Sequence, residues 1–312
     1  MTAGVPTAAI VVTWEGGATT DRCVVSLLAQ EHPPSVVVVV DNASGSAERA
    51  RLEATFGSRP GVRLLLLETN RQFAGGLNAG AAVALTTGAD RLLCLNNDTV
   101  LAPAALGFLE RALDEEAGAG IAGPRILDLG NPTHVISAGE RPVLPVFGLP
   151  RTWLRYRRRT LAPYRARGVM GCAMLVTRAC FEAVGGFAEE IQVYYEDVDF
   201  CLGARARGFG AIVVPSAIVY HDGLRGFAGD LTAWAAFLRA RNPWIVLRRH
   251  GGPASWPGFT LTYGAMVAAS AALHALRGER EIVRALGQGA VAGLRAATGR
   301  RATPVGAPRA TR

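Results

Sequence analysis

The chain has 312 residues and half of them are hydrophobic, so it can bury the core of one large domain or of two smaller ones. All 33 basic residues are arginine, because the sequence contains no lysine, and this excludes a Walker phosphate loop and Schiff-base lysine chemistry. The formal net charge of +8 favours an anionic partner, such as a nucleotide, a phospholipid surface or nucleic acid, without choosing among them.

The first half of the chain alternates short apolar runs with helical patterns. The predicted strands are 8–14, 35–40, 62–67 and 92–95, and the most regular helical patterns lie at 20–30 and 75–87. Strands of this length that are apolar throughout are typical of a sheet buried on both faces. The strand–helix alternation predicts a parallel, doubly wound sheet.

Polar residues follow each of these strands. They are Thr13 with Glu15, Asp41 with Asn42, the segment Glu68 to Arg71, and Asn96, Asn97 and Asp98. Solvated turns that cap the next helix would explain one or two such clusters. Their recurrence at every carboxyl end favours a nucleotide crevice, because ligands of open α/β sheets bind at that edge. The amide and carboxylate oxygens of 96–98 also suit Mg²⁺ or Mn²⁺.

One further glycine pattern and the cysteines point to no cofactor. The only GxGxxG match, at 118–123, follows an acidic helical pattern at 106–116 rather than the first strand, so we interpret it as chance. The five cysteines lack CxxC spacing and mostly lie in apolar patterns, which predicts reduced core residues in a cytosolic compartment. They are Cys23, Cys94, Cys172, Cys180 and Cys201. The N-terminus predicts no signal peptide and a mature chain that begins near Met1.

The second half contains the candidate catalytic residues. A glycine-containing strand at 168–176 would let another backbone or a ligand approach closely. Asp197 begins a helical pattern that runs to about residue 207, where unpaired N–H groups keep a carboxylate ionised. Such a carboxylate accepts a proton from an attacking hydroxyl, or it simply caps the helix. His221 ends the predicted strand at 217–220 and is either a metal ligand or a structural residue.

Nine short motifs in order resemble the family 2 glycosyltransferases, particularly their bacterial rhamnosyltransferase-like branch. They are VVTW, VDNAS, NRQFAGGLNAG, LNNDT, GCAMLVTR, VGGF, YYEDVDF, VVP and YHDG, and the resemblance covers about residues 7–250. It implies a GT-A type α/β fold, a Rossmann-like sheet flanked by helices, here with a C-terminal helical extension. It also implies metal-dependent, inverting transfer of a hexose from a nucleotide-sugar to an acceptor hydroxyl.

The resemblance assigns roles residue by residue. In the family, the residues at the positions of Thr13 and Glu15 line the nucleoside, and those at Asp41 and its neighbour Asn42 hold the nucleobase. Arg71 falls in the loop beside the nucleobase. Asn96, Asn97 and Asp98 stand at the DXD motif, with Asp98 as metal ligand and His221 helping to hold the metal or diphosphate. Asp197, in the Glu196–Asp197 pair, falls at the catalytic base. Two positions depart from the family pattern, since Glu15 replaces the usual Asn and Asn96 replaces the first DXD carboxylate.

The C-terminal third suggests a membrane surface. Residues 151–167 carry seven arginines and no acid, which fits a solvated loop or a lid that meets an anionic acceptor or lipid head groups. No other nucleic-acid signature accompanies them, so we do not expect nucleic acid as a partner. Residues 230–250 predict an amphipathic helix with an Arg241-Asn242 pair like that of the family. Residues 251–276 lack charged residues, and we expect a helix that lies in the membrane interface or packs on the domain rather than spanning it.

We therefore expect a catalytic domain at 1–250, made of a nucleotide-binding half at 1–125 and an acceptor half at 126–250. A membrane-associating helical extension with a basic, partly disordered tail follows at 251–312. The enzyme would be cytoplasmic and peripheral on the inner face of the plasma membrane. The branch resemblance suggests dTDP-L-rhamnose as donor, and the acceptor would be a lipid-linked or cell-envelope glycan or a small metabolite.

Two other functions fit the same residues. The reduced DXD motif is compatible with a non-catalytic module that binds a sugar nucleotide or a lipid on the same fold. The high positive charge is compatible with a basic membrane- or nucleic-acid-binding protein whose transferase motifs are vestigial. The sequence leaves the oligomeric state open.

Overall fold

The computed structural model describes residues 5–139, 161–222 and 231–299. These residues fall into two compact units, the first containing 5–139, 161–192 and 196–222, and the second containing 193–195 and 231–299. Most of the predicted basic lid at 151–167, together with Gly223 and the predicted tail after residue 299, lies outside the described residues. The predicted domain boundary at residue 250 stays a prediction.

The first unit begins with four parallel strands separated by helices. The strands are β1 (Thr7–Thr13), β2 (Val36–Asp41), β3 (Val62–Leu66) and β4 (Arg91–Asn96). The helices between them are α1 (Gly17–Leu28), α2 (Ser46–Phe56) and α3 (Gln72–Thr86). Their spatial order is β3-β2-β1-β4, so the chain winds outward from β1 in both directions. The predicted parallel, doubly wound arrangement is confirmed for this half.

The whole sheet is mixed rather than parallel. The remaining strands are β5 (Thr99–Leu101), β6 (Ala119–Asp128), β7 (Val135–Ser137), β8 (Tyr164–Ala166), β9 (Ala173–Thr177) and β10 (Gly210–His221). The order continues β4-β9-β6-β10-β5, with β9 antiparallel to both of its neighbours. β9 is buried over most of its length, so its apolar pattern did not reveal its direction.

Three helices complete the described part of the first unit, and the last strand is longer than predicted. The helices are α4 (Ala105–Glu115), α5 (Arg178–Val184) and α6 (Glu196–Ala206). The two strands predicted at 211–214 and 217–220 form the single strand β10, whose register against β6 shifts between Val214 and Ile218. Pro215 lies in this shift, where a residue without an N–H group is tolerated.

Both faces of the sheet are buried. Ile10 packs in one apolar cluster with Val38, whereas Val11 packs in the other with Val39, because successive strand residues point to opposite faces. Helix α3 lies so close to one face that a Cβ on Gly80 would stand 2.4 Å from the Ile10 Cγ2 atom. This close packing fixes α3 against that face of the sheet.

Two glycines of the pattern at 118–123 lie in a strand, and the predicted burial of the cysteines is confirmed. Gly120 and Gly123 lie within β6, and a Cβ on Gly120 would stand 2.7 Å from the Phe209 ring, so these glycines serve packing. All five cysteines are buried and free. Burial raises the pKa of the Cys23, Cys94 and Cys180 thiols to about 12.

The described part of the second unit is mainly helical. Its helices are α7 (Ala233–His250), α8 (Ser255–Leu276) and α9 (Arg280–Ala297). Among the described residues, α8 alone is long and apolar enough to cross a bilayer, judged by length and composition. The tripeptide 193–195, which immediately precedes α6 in the chain, also belongs to this unit.

Candidate active site

The strand register brings three of the predicted polar clusters together. Thr13 lies opposite Asp41 across the β1–β2 pair, and Val12 lies opposite Asn96 across the β1–β4 pair. The carboxyl ends of β2, β1 and β4 are therefore neighbours at one edge of the sheet. This is the edge at which open α/β sheets bind ligands.

Thr13 and Asn97 form a small polar cluster with Thr20 of α1. The Thr13 and Thr20 hydroxyls are 2.7 Å apart, and Asn97 Nδ2 donates to both, at 3.3 Å and 3.1 Å respectively. Gly16 lies directly over them, since a Cβ there would stand 2.3 Å from each of the three polar atoms. These side chains pack together at the end of β1, and they leave no space for a side chain on Gly16.

The first loop is held by a charged network that the sequence analysis missed. Glu48 of α2 accepts the Gly17 N–H at 2.9 Å and two hydrogen bonds from Arg51, which also donates to the Gly17 carbonyl. Arg51 makes two further bonds to Asp21. The hydrogen bonds from Arg51 hold the pKa of Glu48 below its usual value. Spacing within α2 alone gives no sign that this pair faces the loop.

The second loop is organised by Asp41, which is fully buried. One carboxylate oxygen accepts the Ser44 N–H at 3.2 Å, and the other lies 3.3 Å from Arg49 Nε. Ser44 in turn accepts the Glu15 N–H, and Glu15 accepts the Gly45 N–H at 2.7 Å. In this structure Asp41 and Glu15 therefore tie the first two loops together, and their roles toward base and nucleoside stay predictions.

The third loop is joined to the second through Asn42. Its Oδ1 accepts the Arg71 N–H at 2.8 Å and its Nδ2 donates to the Gln72 carbonyl at 2.9 Å. The Arg71 guanidinium lies 2.7 Å from Glu189, whose carboxylate also accepts from Asn78. These contacts, with the Asn78 bond contributing most, lower the pKa of Glu189. The Arg71 side chain is thus held by Glu189, which lies in the segment before α6.

Asp98 and His221 face one another. Asp98 Oδ1 is 3.1 Å from the Nε2 atom of the buried His221, and Asn96 Nδ2 lies 3.4 Å from the same nitrogen. The antiparallel β5–β10 pair, which sets His221 opposite Thr99, produces this approach. A carboxylate oxygen and an imidazole nitrogen are both ligand atoms for divalent cations. Asp98 and His221 therefore fit a divalent metal, although no group of three His, Cys, Asp or Glu residues occurs within the described ranges.

Glu196 and Asp197 begin α6 and are both buried. Asp197 Oδ2 accepts the Gly171 N–H at 2.8 Å, and its Oδ1 accepts the Val198 N–H at 2.8 Å. The adjacent Cys172 carbonyl accepts the Asn96 N–H at 3.0 Å. The two-residue segment 171–172 therefore links Asp197 directly to the end of β4.

Unusual backbone conformations cluster at the same places. Within the described residues, the non-glycine residues with positive φ follow β1, β2 and β3 or precede α6. They are Glu15, Ala43, Gln72, Gln192, Tyr194 and Tyr195. Each such conformation costs on the order of 1–3 kcal/mol and persists only where its surroundings enforce it. Strain of this kind concentrates at functional sites, so the conformations of Glu15, Ala43 and Gln72 agree with a site at the loops after β1, β2 and β3.

In the second unit, Asn242 of α7 holds the strained tripeptide that leads into α6. Its Nδ2 donates to the carbonyls of Val193 and Tyr194, each at 2.8 Å, and the residue is fully buried. The Arg239 guanidinium lies 4.6 Å from the centroid of the Tyr194 ring. In the sequence, only the family resemblance distinguishes the Arg241-Asn242 pair. The structure shows that Asn242 fixes the backbone before α6.

Solved structures define the class of the fold. One is GalNAc-T7 with UDP, GalNAc and Mn²⁺, with a TM-score of 0.58 and 17% identity over 85% of this chain; only 55% of that longer chain is matched. Another is the mannosyltransferase PcManGT from Pyrobaculum calidifontis with GDP-Man and Mn²⁺, with a TM-score of 0.53 and 15% identity over 96% of this chain and 89% of that one. The protein therefore has the GT-A glycosyltransferase fold, as predicted.

Sequence comparison then gives the family. The model described as Glycosyltransferase like family 2 matches residues 5–246, and the chain belongs to this family. It is 29% identical over 263 residues to the N-acetylglucosaminyl-diphospho-decaprenol L-rhamnosyltransferase of Mycobacterium tuberculosis, covering 78% of this chain and 84% of that protein. It is 23% identical to the dTDP-rhamnosyl transferase RfbF of Shigella flexneri, covering 70% and 72%. An uncharacterized M. tuberculosis protein, Rv1525, is 32% identical over 60% of this chain and 68% of its own length.

Proposed function

We propose that this glycosyltransferase moves L-rhamnose from dTDP-rhamnose to a hydroxyl of a lipid-linked or cell-envelope glycan, with inversion at the anomeric carbon. The observation that carries the proposal is the link through 171–172. It connects the candidate base, Asp197, to the strand end that bears Asn96, Asn97 and Asp98. A proton acceptor and a nucleotide crevice within one compact unit are what the transfer requires.

The proposed mechanism uses the geometry of Asp197. Two backbone N–H groups hold its carboxylate in place, that of Gly171 just before β9 and that of Val198 in the first turn of α6. In the reaction, the carboxylate takes the proton of the acceptor hydroxyl as that oxygen attacks the anomeric carbon. The nucleoside diphosphate leaves from the opposite face, so the configuration inverts.

Asp98 and His221 are the residues that would hold a divalent metal. A bound Mg²⁺ or Mn²⁺ would neutralise charge that develops on the leaving diphosphate. A site with one carboxylate is sufficient when phosphate oxygens complete the coordination, which is the usual way proteins hold Mg²⁺ with nucleotides. Arg71, anchored by Glu189, would contribute a positive charge beside the nucleobase.

The donor and acceptor assignments draw on the relatives. Two of them are named as rhamnosyltransferases, and one of these names describes a diphospho-decaprenol acceptor. A lipid-linked acceptor would bring the enzyme to the inner face of the plasma membrane from the cytoplasm. The basic composition of the chain agrees with such a location.

The test is thermal stabilisation by dTDP, UDP and GDP with Mn²⁺, Mg²⁺ or EDTA, followed by assay of sugar transfer or hydrolysis with dTDP-rhamnose. We expect the largest metal-dependent shift with dTDP, its loss in Asp98→Ala, and its retention in Asp90→Ala, which removes an exposed carboxylate. A larger shift of the melting temperature with UDP or GDP would mean that the donor is a UDP-sugar or a GDP-sugar rather than dTDP-rhamnose. If no nucleotide raises the melting temperature of the protein and no sugar is released, the chain is a non-catalytic module.

A further inference from the structure

Helix α8 has an apolar stripe on its solvent-facing side. The stripe follows the helical repeat and consists of Pro257, Leu261, Ala265, Ala268, Ala272 and Leu276, all of them exposed. Leu261 is 75% and Leu276 88% exposed, and Leu273 beside them is 48% exposed. A surface helix of a soluble protein normally presents charged or polar residues there, so this face has the opposite character.

The opposite face of α8 is firmly packed within the second unit. Phe259 and Tyr263 are buried, and their rings stack with centroids 4.9 Å apart. The Trp244 ring of α7 meets Phe259 edge-on at 5.1 Å, and the Tyr263 hydroxyl donates to the Arg239 carbonyl at 2.6 Å. The orientation of α8 is therefore fixed, and the exposed stripe is not an alternative core face.

The chemistry of the stripe favours lipid over a protein partner. Protein interfaces take most of their binding energy from Trp, Tyr and Arg, whereas alanine is depleted in them. The stripe contains alanine, leucine and proline. A bilayer surface requires only apolar area with basic residues nearby. The exposed Arg277, Arg280 and Arg284 follow the stripe directly, and residues 231–299 contain eight arginines and two glutamates.

The packing also favours a helix that lies along the bilayer surface. Val267 and Ala271 of α8 pack in one cluster with Ile282 and Ala285 of α9. If α8 crossed the bilayer, this contact would carry the exposed charges at 280–284 toward the hydrocarbon, which is costly. If α8 lies flat, its apolar stripe enters the interface while the arginines remain at the level of the head groups.

We propose that the exposed stripe of α8 and the arginines at 277–284 form an interfacial binding surface for anionic phospholipid membranes. The stripe supplies the apolar contact, and the arginines make the binding selective for acidic head groups. Each arginine near an anionic surface strengthens binding on the order of fivefold. The residues of this surface belong to the second unit and those of the nucleotide crevice to the first, so membrane binding and nucleotide binding can be tested by separate substitutions.

The test is flotation of the full chain with phosphatidylcholine vesicles, with or without 30% phosphatidylglycerol, at 0.1 and 0.5 M NaCl. We expect binding to the anionic vesicles at low salt that falls about tenfold or more in Leu261→Gln/Leu273→Gln/Leu276→Gln and in Arg277→Gln/Arg280→Gln/Arg284→Gln. Val25→Gln is the control, because Val25 is a 48% exposed apolar residue of α1 in the first unit. Circular dichroism and the nucleotide-induced thermal shift verify that each variant is folded.

Unchanged binding of the leucine variant would overturn the proposal, and so would equal binding to both kinds of vesicle. Resistance of the bound protein to alkaline carbonate extraction would show a spanning helix instead. A concentration-dependent dimer that the leucine variant abolishes, without any vesicle binding, would identify a second copy as the occupant and would also contradict the proposal.

Discussion

Gly171 and Asp197 approach each other so closely that no side chain fits between them. The Gly171 N–H donates to Asp197 Oδ2 at 2.8 Å, and a Cβ on Gly171 would stand 2.8 Å from the Asp197 Cβ atom. The glycine thus allows β9 and the start of α6 to meet at the candidate base. The sequence predicts the approach of another backbone or a ligand at the glycines of 168–176, whereas the group that approaches Gly171 is the side chain of Asp197.

Gly171→Ala should displace Asp197 and lower kcat by about 100-fold, because a shift of about 1 Å in a reacting group has this effect. Donor affinity should change little, and the clash should cost roughly 1–3 kcal/mol of stability. Steady-state kinetics and the dTDP-induced thermal shift separate the two effects. Gly287→Ala is the matched control, since a Cβ there meets nothing within 4 Å. Equal kcat in both variants would remove the proposed role of Gly171.

Asp197→Asn should retain donor binding and lose transfer by about 10²- to 10⁴-fold, because the amide cannot accept the hydroxyl proton. Glu196→Gln alters the neighbouring buried acid on the same helix and should cost less if Asp197 is the base. The measurement is kcat beside nucleotide affinity for each variant. A larger loss in Glu196→Gln would transfer the role of base to Glu196.

His221→Asn should weaken Mn²⁺ binding about 10- to 100-fold, as is typical when the residues around a metal are altered. The readout is a Mn²⁺ titration of thermal stability at fixed nucleotide concentration. His32→Asn is the control, because His32 is exposed and precedes β2, at the opposite end of that strand from Asp41. If the two variants bind Mn²⁺ equally well, His221 is not a ligand.

Asn242→Ala should lower kcat while leaving the donor KM unchanged. The substitution leaves two carbonyls before α6 without their buried donor, at about 1–3 kcal/mol each, and releases the strained tripeptide that precedes Glu196. Asn131→Ala, which removes an exposed asparagine, is the control. A parallel loss of nucleotide affinity would indicate general destabilisation rather than positioning.

Glu48 should contribute to stability in a pH-dependent way. Its pKa in the folded state is lowered by Arg51, so its contribution is present above the unfolded-state pKa and is lost as the pH falls through the folded-state value. The Tm difference between the wild type and Glu48→Gln should therefore be larger at pH 6 than at pH 3. Differential scanning fluorimetry at both values measures it, and a constant difference would show that the carboxylate charge is not what matters.

Local patterns in the sequence determined much of the fold and the location of the site. A buried strand requires a run of apolar residues, and the point where it leaves the sheet requires polar ones. Both features can therefore be predicted from residues that are neighbours in the sequence. The same holds for Asp197 at the start of α6 and for the buried cysteines. The motifs then gave the family before any tertiary structure was considered.

Tertiary structure alone decided the pairings and the exposed surfaces. Arg71 meets Glu189 across 118 positions, and Asn96 meets His221 across 125. The second contact depends on the antiparallel β5–β10 pair. No periodicity encodes such contacts. The sequence likewise showed that α8 is apolar, but which of its faces packs and which meets solvent depends on where α7 and α9 lie, since helix burial is a property of neighbours rather than of the helix itself.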